Sequence, residues 1–216
     1  MKRVSNTRAK KDIHSILKIL ILEYPDAKCG LTYKTPFELL IATILSAQTT
    51  DIKVNKVTSK LFSKYKSVYD IATLSSDELE DMIKELGLYR NKTKSILETV
   101  KRLIDEHDGE VPKNRKDLQN LAGVGRKTAN VILSTAFDIP ALAVDTHVFR
   151  VTRRLGLTDG STPIKVEEDL MEQIPKSSWT LAHHLFIYHG RSKCLARNPK
   201  CEHCPLSHCC NYYNNL

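Results

Sequence analysis

The sequence predicts an all-α fold, and three observations carry that prediction. Apolar residues recur at the 3.6-residue helical period through nearly all of the 216 residues. The periodic segments are bounded by residues that start and stop helices. No alternating apolar–polar run with a hairpin turn competes with them.

The elements follow in order. "IHSILKILILEY" presents a broad apolar face and ends before Pro25. "TPFELLIATILSAQ" opens on Pro36, whose fixed φ and missing N–H suit a first helical turn. "SSDELEDMIKELG" pairs Ser75 with Glu78 as a capping box and offers Gly87 as a stop. In "RNKTKSILETVKRLIDEHDG", Ile96, Leu97, Val100, Leu103 and Ile104 share one face before Gly109 ends the helix. "NRKDLQNLAGVGRKTANVILSTAF" reads as helix, tight turn, helix. "DTHVFRVTRRLG" begins on a capping Asp, Thr162-Pro163 opens the next helix, and "SSWTLAHHLFIYHG" closes on Gly190. Composition marks no domain boundary, repeat or linker.

No apolar run reaches the roughly 18 residues of a membrane span. The basic start "MKRVSNTRAKK" lacks a signal-type apolar core, so the chain reads as intracellular and soluble, with that start as a flexible tail able to touch phosphate. Net charge is +8, from 33 Lys+Arg against 25 Asp+Glu. A balance of that size favours a polyanionic partner, nucleic acid first.

The turn in "LAGVGRKTAN" carries chemistry. Gly123 and Gly125 permit positive φ and leave backbone N–H groups uncovered beside a helix N-terminus, which suits a phosphate as well as an ordinary turn between helices. Arg126 and Lys127 in the first turn oppose the helix dipole, and an anionic ligand would explain them. Lys127 has two readings: a phosphate contact, or an amine that attacks sugar carbon to give a Schiff base. Asp145 lies eighteen residues further on, as the N-cap of its helix or as a carboxylate for that amine.

Five of the six cysteines fall in "CLARNPKCEHCPLSHCC", from Cys194 to Cys210. A reduced cytosol argues against disulfides. Zinc sites usually pair two short Cys-x2-4-Cys units, and only Cys201-x2-Cys204 is short. A four-thiolate iron–sulfur cluster tolerates the other gaps, of six and five, so spacing leaves both metals open and leans to iron.

"PFELLIATILSAQTTD", "LGLYRNKTKSI", "LAGVGRKTANVIL", "VDTHVFRV" and Cys194-x6-Cys201-x2-Cys204-x5-Cys210 appear in that order. From about residue 10 to the end, the chain resembles the endonuclease III family of DNA glycosylase/AP lyases in base excision repair. The resemblance implies two domains with a DNA cleft between them. A six-helix domain at 28–140 would hold a helix-hairpin-helix at about 114–137, with Gly123, Val124 and Gly125 on DNA phosphate. A discontinuous cluster domain would combine 1–27 with 141–216, its iron–sulfur loop at 194–210. Cys194, Cys201, Cys204 and Cys210 would ligate a [4Fe–4S] cluster of structural role, with Cys209 as an extra thiol.

The resemblance also implies a reaction. Lys127 would attack C1′ beneath a flipped, damaged pyrimidine, displace the base and cleave the strand 3′ to the lesion by β-elimination. Asp145 would stabilise charge on the sugar and help deprotonate Lys127. Gln48 would enter the gap left by the flipped base, Leu88 would wedge the opposite stack, and His147 would line the lesion pocket. From the residues themselves, Gln48 passes for a helix-end polar residue and Leu88 for a helix-stop contact. Arg197 and Lys200 in the first cysteine loop would meet phosphate or stay solvated. His183, His184 and His189 read as structural. Ala122 departs from the proline common in the family before the Gly-Val-Gly turn. The expected partner is double-stranded DNA with damaged pyrimidines or abasic sites, met by a monomer in a bacterial-type cytoplasm.

Two rivals remain. An adenine-mismatch glycosylase of the same superfamily lacks the lysine and uses an acidic residue near "LIATILSAQ", where this chain has none after Glu38. A non-catalytic DNA-binding redox module would not need Lys127 and Asp145 together.

Overall fold

The computed structural model describes residues 7–215, and among them every regular element is helical. The basic start is helical from Thr7, where α1 (Thr7–Glu23) begins, and the rest of that stretch lies outside the described residues. None of the described helices is long and apolar enough to cross a membrane. The chain divides into two compact units, Cys29–Ile139 and Met1–Lys28 with Pro140–Leu216.

The unit Cys29–Ile139 is organised around α2 (Pro36–Leu45), which is buried on all sides from Phe37 to Leu45. A ten-residue helix apolar on every face but for Glu38 and Thr43 is stable only when neighbours cover it all round. They are α3 (Asp51–Lys64), α6 (Tyr89–His107) and α8 (Arg126–Ala136). Thr35 caps α2 by accepting from the Glu38 N–H at 3.2 Å, and Pro36 fills the first turn as its sequence predicts. α4 (Val68–Ala72) and α5 (Ser76–Ile83) both start on capping boxes, Ser67 with Asp70 and Ser75 with Glu78. They pack on α6, where Ile96, Val100 and Leu103 are fully buried. α7 (Arg115–Asn120) then leads into α8.

The other unit packs α1 with α9 (Thr146–Leu155), α10 (Pro163–Gln173) and α11 (Trp179–Ser192), followed by the cysteine-rich loop and the short α12 (Asn211–Asn214). Ile13, Ile16, Leu17 and Leu20 of α1 meet Val148, Val151, Leu170, Leu185 and Phe186 in one core. Each such side chain contributes about 1.5–3 kcal/mol relative to exposure.

Two expected helix stops are corrected. α5 ends at Ile83, four residues before Gly87, and the left-handed residue there is Leu88. α11 runs through Gly190 to Ser192, because Gly190 serves packing: a Cβ there would lie 2.9 Å from the His147 Cβ and 3.2 Å from the Val151 Cγ2. Glycine at that point lets α11 lie close against α9.

Candidate active site and cysteine-rich loop

The Gly-Val-Gly turn joins α7 to α8. Only Gly123 uses its freedom, at φ +76°, and a Cβ there would press on Ser95 at 3.1 Å. Gly125 is the N-cap of α8 at φ −83°, which any residue adopts, and a Cβ there would meet nothing within 4 Å. Backbone and packing therefore leave Gly125 free of constraint, and a bare backbone suits something that approaches from outside. Gly125 has no side chain to cap α8, so the N–H groups of the first turn lack intrahelical partners. Lys127 is exposed in that turn, Arg126 is half-buried, and Val124 is buried as the anchor of the turn. α6 clamps the turn from behind: Thr99 donates to the Ala122 carbonyl at 2.9 Å and Arg102 to the Asn120 carbonyl at 2.8 Å. These bonds hold the segment where Ala122 omits a rigid proline.

Gln48 and Leu88 share an unusual backbone. Both are left-handed, at φ 54° and 58°, and both are exposed. Among the described residues, the other non-glycine residues with positive φ are Asp108, Asp138 and Asn198, types that tolerate this region. A leucine held there costs about 1–2 kcal/mol, and strain of this kind clusters at functional positions. Lys92, absent from the sequence-based site, ties the two together. Its N–H bonds the Leu88 carbonyl at 3.1 Å, and its Nζ donates to Thr49 Oγ1 at 2.9 Å. Lys92 is buried, and burial, then Lys53, pull its pKa below the usual lysine value. A signal existed: Lys92 occupies the same stripe as Ile96, Val100 and Leu103, where a cation is out of place.

α9 carries the second group of predicted residues. Asp145 is its N-cap, with Oδ1 accepting from the His147 and Val148 N–H groups at 2.8 Å each. The capping role is realised on one oxygen, and the carboxylate has a second. Arg150 donates from Nη2 to His147 Nδ1 at 3.2 Å and to the Gly190 carbonyl at 2.9 Å, and from Nε to the Cys194 carbonyl at 3.0 Å. Burial lowers the His147 pKa, while Asp145 opposes that shift and Arg150 adds to it. A neutral ring accepting from Arg150 at Nδ1 carries its proton on Nε2. One turn on, Arg154 donates to the Cys194 sulfur at 3.5 Å and to the carbonyls of Leu195 and Ala196 at 2.6 and 3.1 Å, with its guanidinium over the Tyr212 ring. His147, Arg150 and Arg154 stand at helical spacing, so one face of α9 runs from Asp145 to the cysteine loop.

Cys194, Cys201, Cys204 and Cys210 line one small recess, and Cys209 is not among its walls. Cys209 packs on the hydrophobic core, with its thiol donating to the Leu206 carbonyl at 3.4 Å. Burial first, then neighbouring cysteines, push the Cys201 and Cys204 thiols up. Four thiolates that repel one another in a half-buried recess fit a cationic inorganic core. Among the described residues, no group of three or more His, Cys, Asp or Glu side chains is arranged to hold a single metal ion. Four cysteines on one recess are the donor set that a four-thiolate iron–sulfur cluster uses. Arg197 is exposed on the loop, and exposed Lys200 lies at the rim of the recess, its N–H bonding the Lys193 carbonyl at 3.0 Å.

The structure thus gathers the four cysteines in one place, ties Leu88 and Thr49, next to Gln48, through Lys92, and sets Asp145 with His147 on one helix start. Lys127 belongs to the unit Cys29–Ile139 and Asp145 to the other.

Residues 41–176 match the model of the HhH-GPD superfamily base excision DNA repair protein. Endonuclease III of Bacillus subtilis is 48% identical over 188 residues, covering 87% of this chain and 86% of that one. Endonuclease III of Escherichia coli K12 is 44% identical, covering 87% and 89%. A solved structure of a trapped covalent endonuclease III–DNA intermediate, an estranged-adenine complex, superposes with a TM-score of 0.91 at 48% identity, over 95% of this chain and 97% of that one. Within that superfamily, the chain belongs to the endonuclease III family.

Proposed function

We propose that Lys127 and Asp145 carry out base excision on damaged DNA, in a chain whose function is that of a base excision repair DNA glycosylase/AP lyase. The observation that carries the assignment to Lys127 is its exposure in the first turn of α8, just past an unobstructed Gly125. A phosphate held by the Gly123–Gly125 turn would set the strand against that amine.

The neutral Lys127 amine attacks C1′ of the lesion nucleotide. The glycosidic bond breaks, and the base leaves with its electron pair and takes a proton. The C1′–O4′ bond then breaks, the ring oxygen takes a proton, and the lysine nitrogen is left as an iminium on C1′, which makes a C2′ proton acidic. Its loss expels the 3′ phosphate oxygen by β-elimination, and water then frees the lysine. Asp145, using the oxygen not spent on its cap, takes the amine's proton and stabilises positive charge on the sugar. Gln48 and Leu88 hold the gap and the opposite stack, and His147 lines the lesion pocket. Oxidised or ring-damaged pyrimidines and abasic sites in duplex DNA are the proposed substrates, met by a monomer in the cytoplasm. The domain at 28–140 supplies the hairpin and Lys127, and 1–27 with 141–216 supplies Asp145 and the cluster.

Cys194, Cys201, Cys204 and Cys210 would hold a [4Fe–4S] cluster. When bound it supplies structural order to the loop, which presents Arg197 and Lys200 to phosphate.

Borohydride trapping on duplex DNA carrying thymine glycol or an abasic site tests the reading. A covalent adduct in the wild type that disappears in Lys127→Ala is the expected result. A folded, iron-loaded protein that gives no adduct overturns it.

A further inference from the structure

His189 on α11 is 1% exposed and sits in the wall of the cysteine recess. Its Nε2 lies 3.6 Å from the Cys204 sulfur and its Nδ1 lies 3.2 Å from the Tyr24 hydroxyl. That hydroxyl lies 2.7 Å from Ser192 Oγ, which lies 2.8 Å from the Tyr188 carbonyl. Two hydroxyls and one ring thus form a single file ending on a cysteine sulfur.

Counting protons shows that the file has two directions. Ser192 has one hydroxyl proton and two partners in reach. Pointed at the Tyr188 carbonyl, it obliges Tyr24 to donate to Ser192 and His189 to donate from Nδ1 to Tyr24. A neutral ring then offers only a lone pair at Nε2, which suits a Cys204 thiol donating to it. Pointed at Tyr24, Ser192 lets Tyr24 donate to Nδ1, and the ring proton sits on Nε2 facing the sulfur. That direction suits a thiolate. The Tyr188 carbonyl lies within α11, so losing the Ser192 proton costs it little. A metal-bound cysteine is a thiolate, and its thiol proton leaves on binding.

We propose that Ser192, Tyr24 and His189 form a reversible hydrogen-bond chain that places an N–H on the Cys204 sulfur when that cysteine ligates the cluster. In that arrangement Ser192 donates to Tyr24, Tyr24 donates to His189 Nδ1, and the ring proton sits on Nε2 facing the Cys204 sulfur. An N–H on a ligating sulfur offsets negative charge and raises the cluster's reduction potential. His189 is a positioning residue and touches no DNA atom. The inference rests on the cluster reading given above.

The test uses the full-length, cluster-loaded chain and two variants. His189→Gln keeps an N–H near the sulfur, whereas His189→Leu fills the space without one. The expected result is a lower midpoint potential in His189→Leu and iron release to a chelator faster by on the order of ten-fold. His189→Gln should stay near the wild type, and ¹⁵N NMR of the loaded wild type should place the ring proton on Nε2. A leucine variant that matches the wild type overturns the inference. So does a glutamine variant that fails alongside leucine, in potential or in cluster assembly, or a ring proton on Nδ1. Wild-type protein that holds no iron and sulfide would instead bring down the cluster reading itself.

Discussion

The Arg150 guanidinium donates from Nε to the Cys194 carbonyl at 3.0 Å, while its Nη2 reaches back to His147. One side chain therefore fastens the start of the cysteine loop to the helix that begins on Asp145. Charge-assisted bonds to carbonyls contribute about 1.5–3 kcal/mol each. Arg150→Ala should lower stability by about 2 kcal/mol after discounting for partial exposure. The midpoint of denaturant unfolding reads this, and an unchanged midpoint would mean the loop holds itself.

Asp145 is a helix cap in the structure and a catalytic carboxylate in the proposed function, and substitution separates the two roles. Asparagine caps as well as aspartate does, so Asp145→Asn should keep stability within about 0.5 kcal/mol, while Asp145→Ala loses about 1 kcal/mol. Both should slow borohydride trapping on the order of 100-fold. Full activity in Asp145→Asn would reduce the residue to its cap.

Leu88 is exposed, so its left-handed backbone is not offset by burial. Leu88→Gly should raise stability by about 1 kcal/mol by removing the strain. It should also weaken excision on a lesion duplex, because it removes the proposed wedge. A variant that is more stable and equally active would assign Leu88 no part in opening the stack.

Lys92 has a depressed pKa in the fold, so the folded state binds protons less readily than the unfolded chain. The resulting cost is full at neutral pH and below. It fades as pH rises through the folded pKa toward the usual lysine value of 10.5. Stability of the wild type relative to Lys92→Met should therefore rise between pH 7 and pH 10, roughly the window that linkage sets. Parallel unfolding curves at several pH values decide it, and a constant difference would show Lys92 ionising freely. The variant also loses the Thr49 bond, so excision should fall even where stability gains.

Cys210 faces the recess and Cys209 faces the Leu206 carbonyl. Cys209→Ser should keep the brown colour and the iron, and Cys210→Ser should lose both. Iron analysis of the purified variants checks this, and the reverse outcome would move the ligand register by one residue.

Much of this protein was legible along the chain because its signals are local. A capping Ser75, a Pro36 at a first turn and the 3.6-residue stripe of Ile96, Val100 and Leu103 act within one or two turns of helix. Asp145 and Lys127 were legible for the same reason, since each sits at a helix start marked by its own neighbours. Gly190 shows where that logic ends. Its sequence looks like a helix stop, yet its role is set by His147 from another helix. His189 carries no local mark of its contacts and Lys92 only that of a cation on an apolar stripe, because Thr49, Tyr24 and Cys204 meet them only after folding. The sequence by itself determined the helices, their caps and the chemical types at the site. The tertiary structure alone decided which glycine serves packing, which backbone is strained and which histidine meets a sulfur. Those are contacts between residues far apart in the chain, and packing, not propensity, chooses among them.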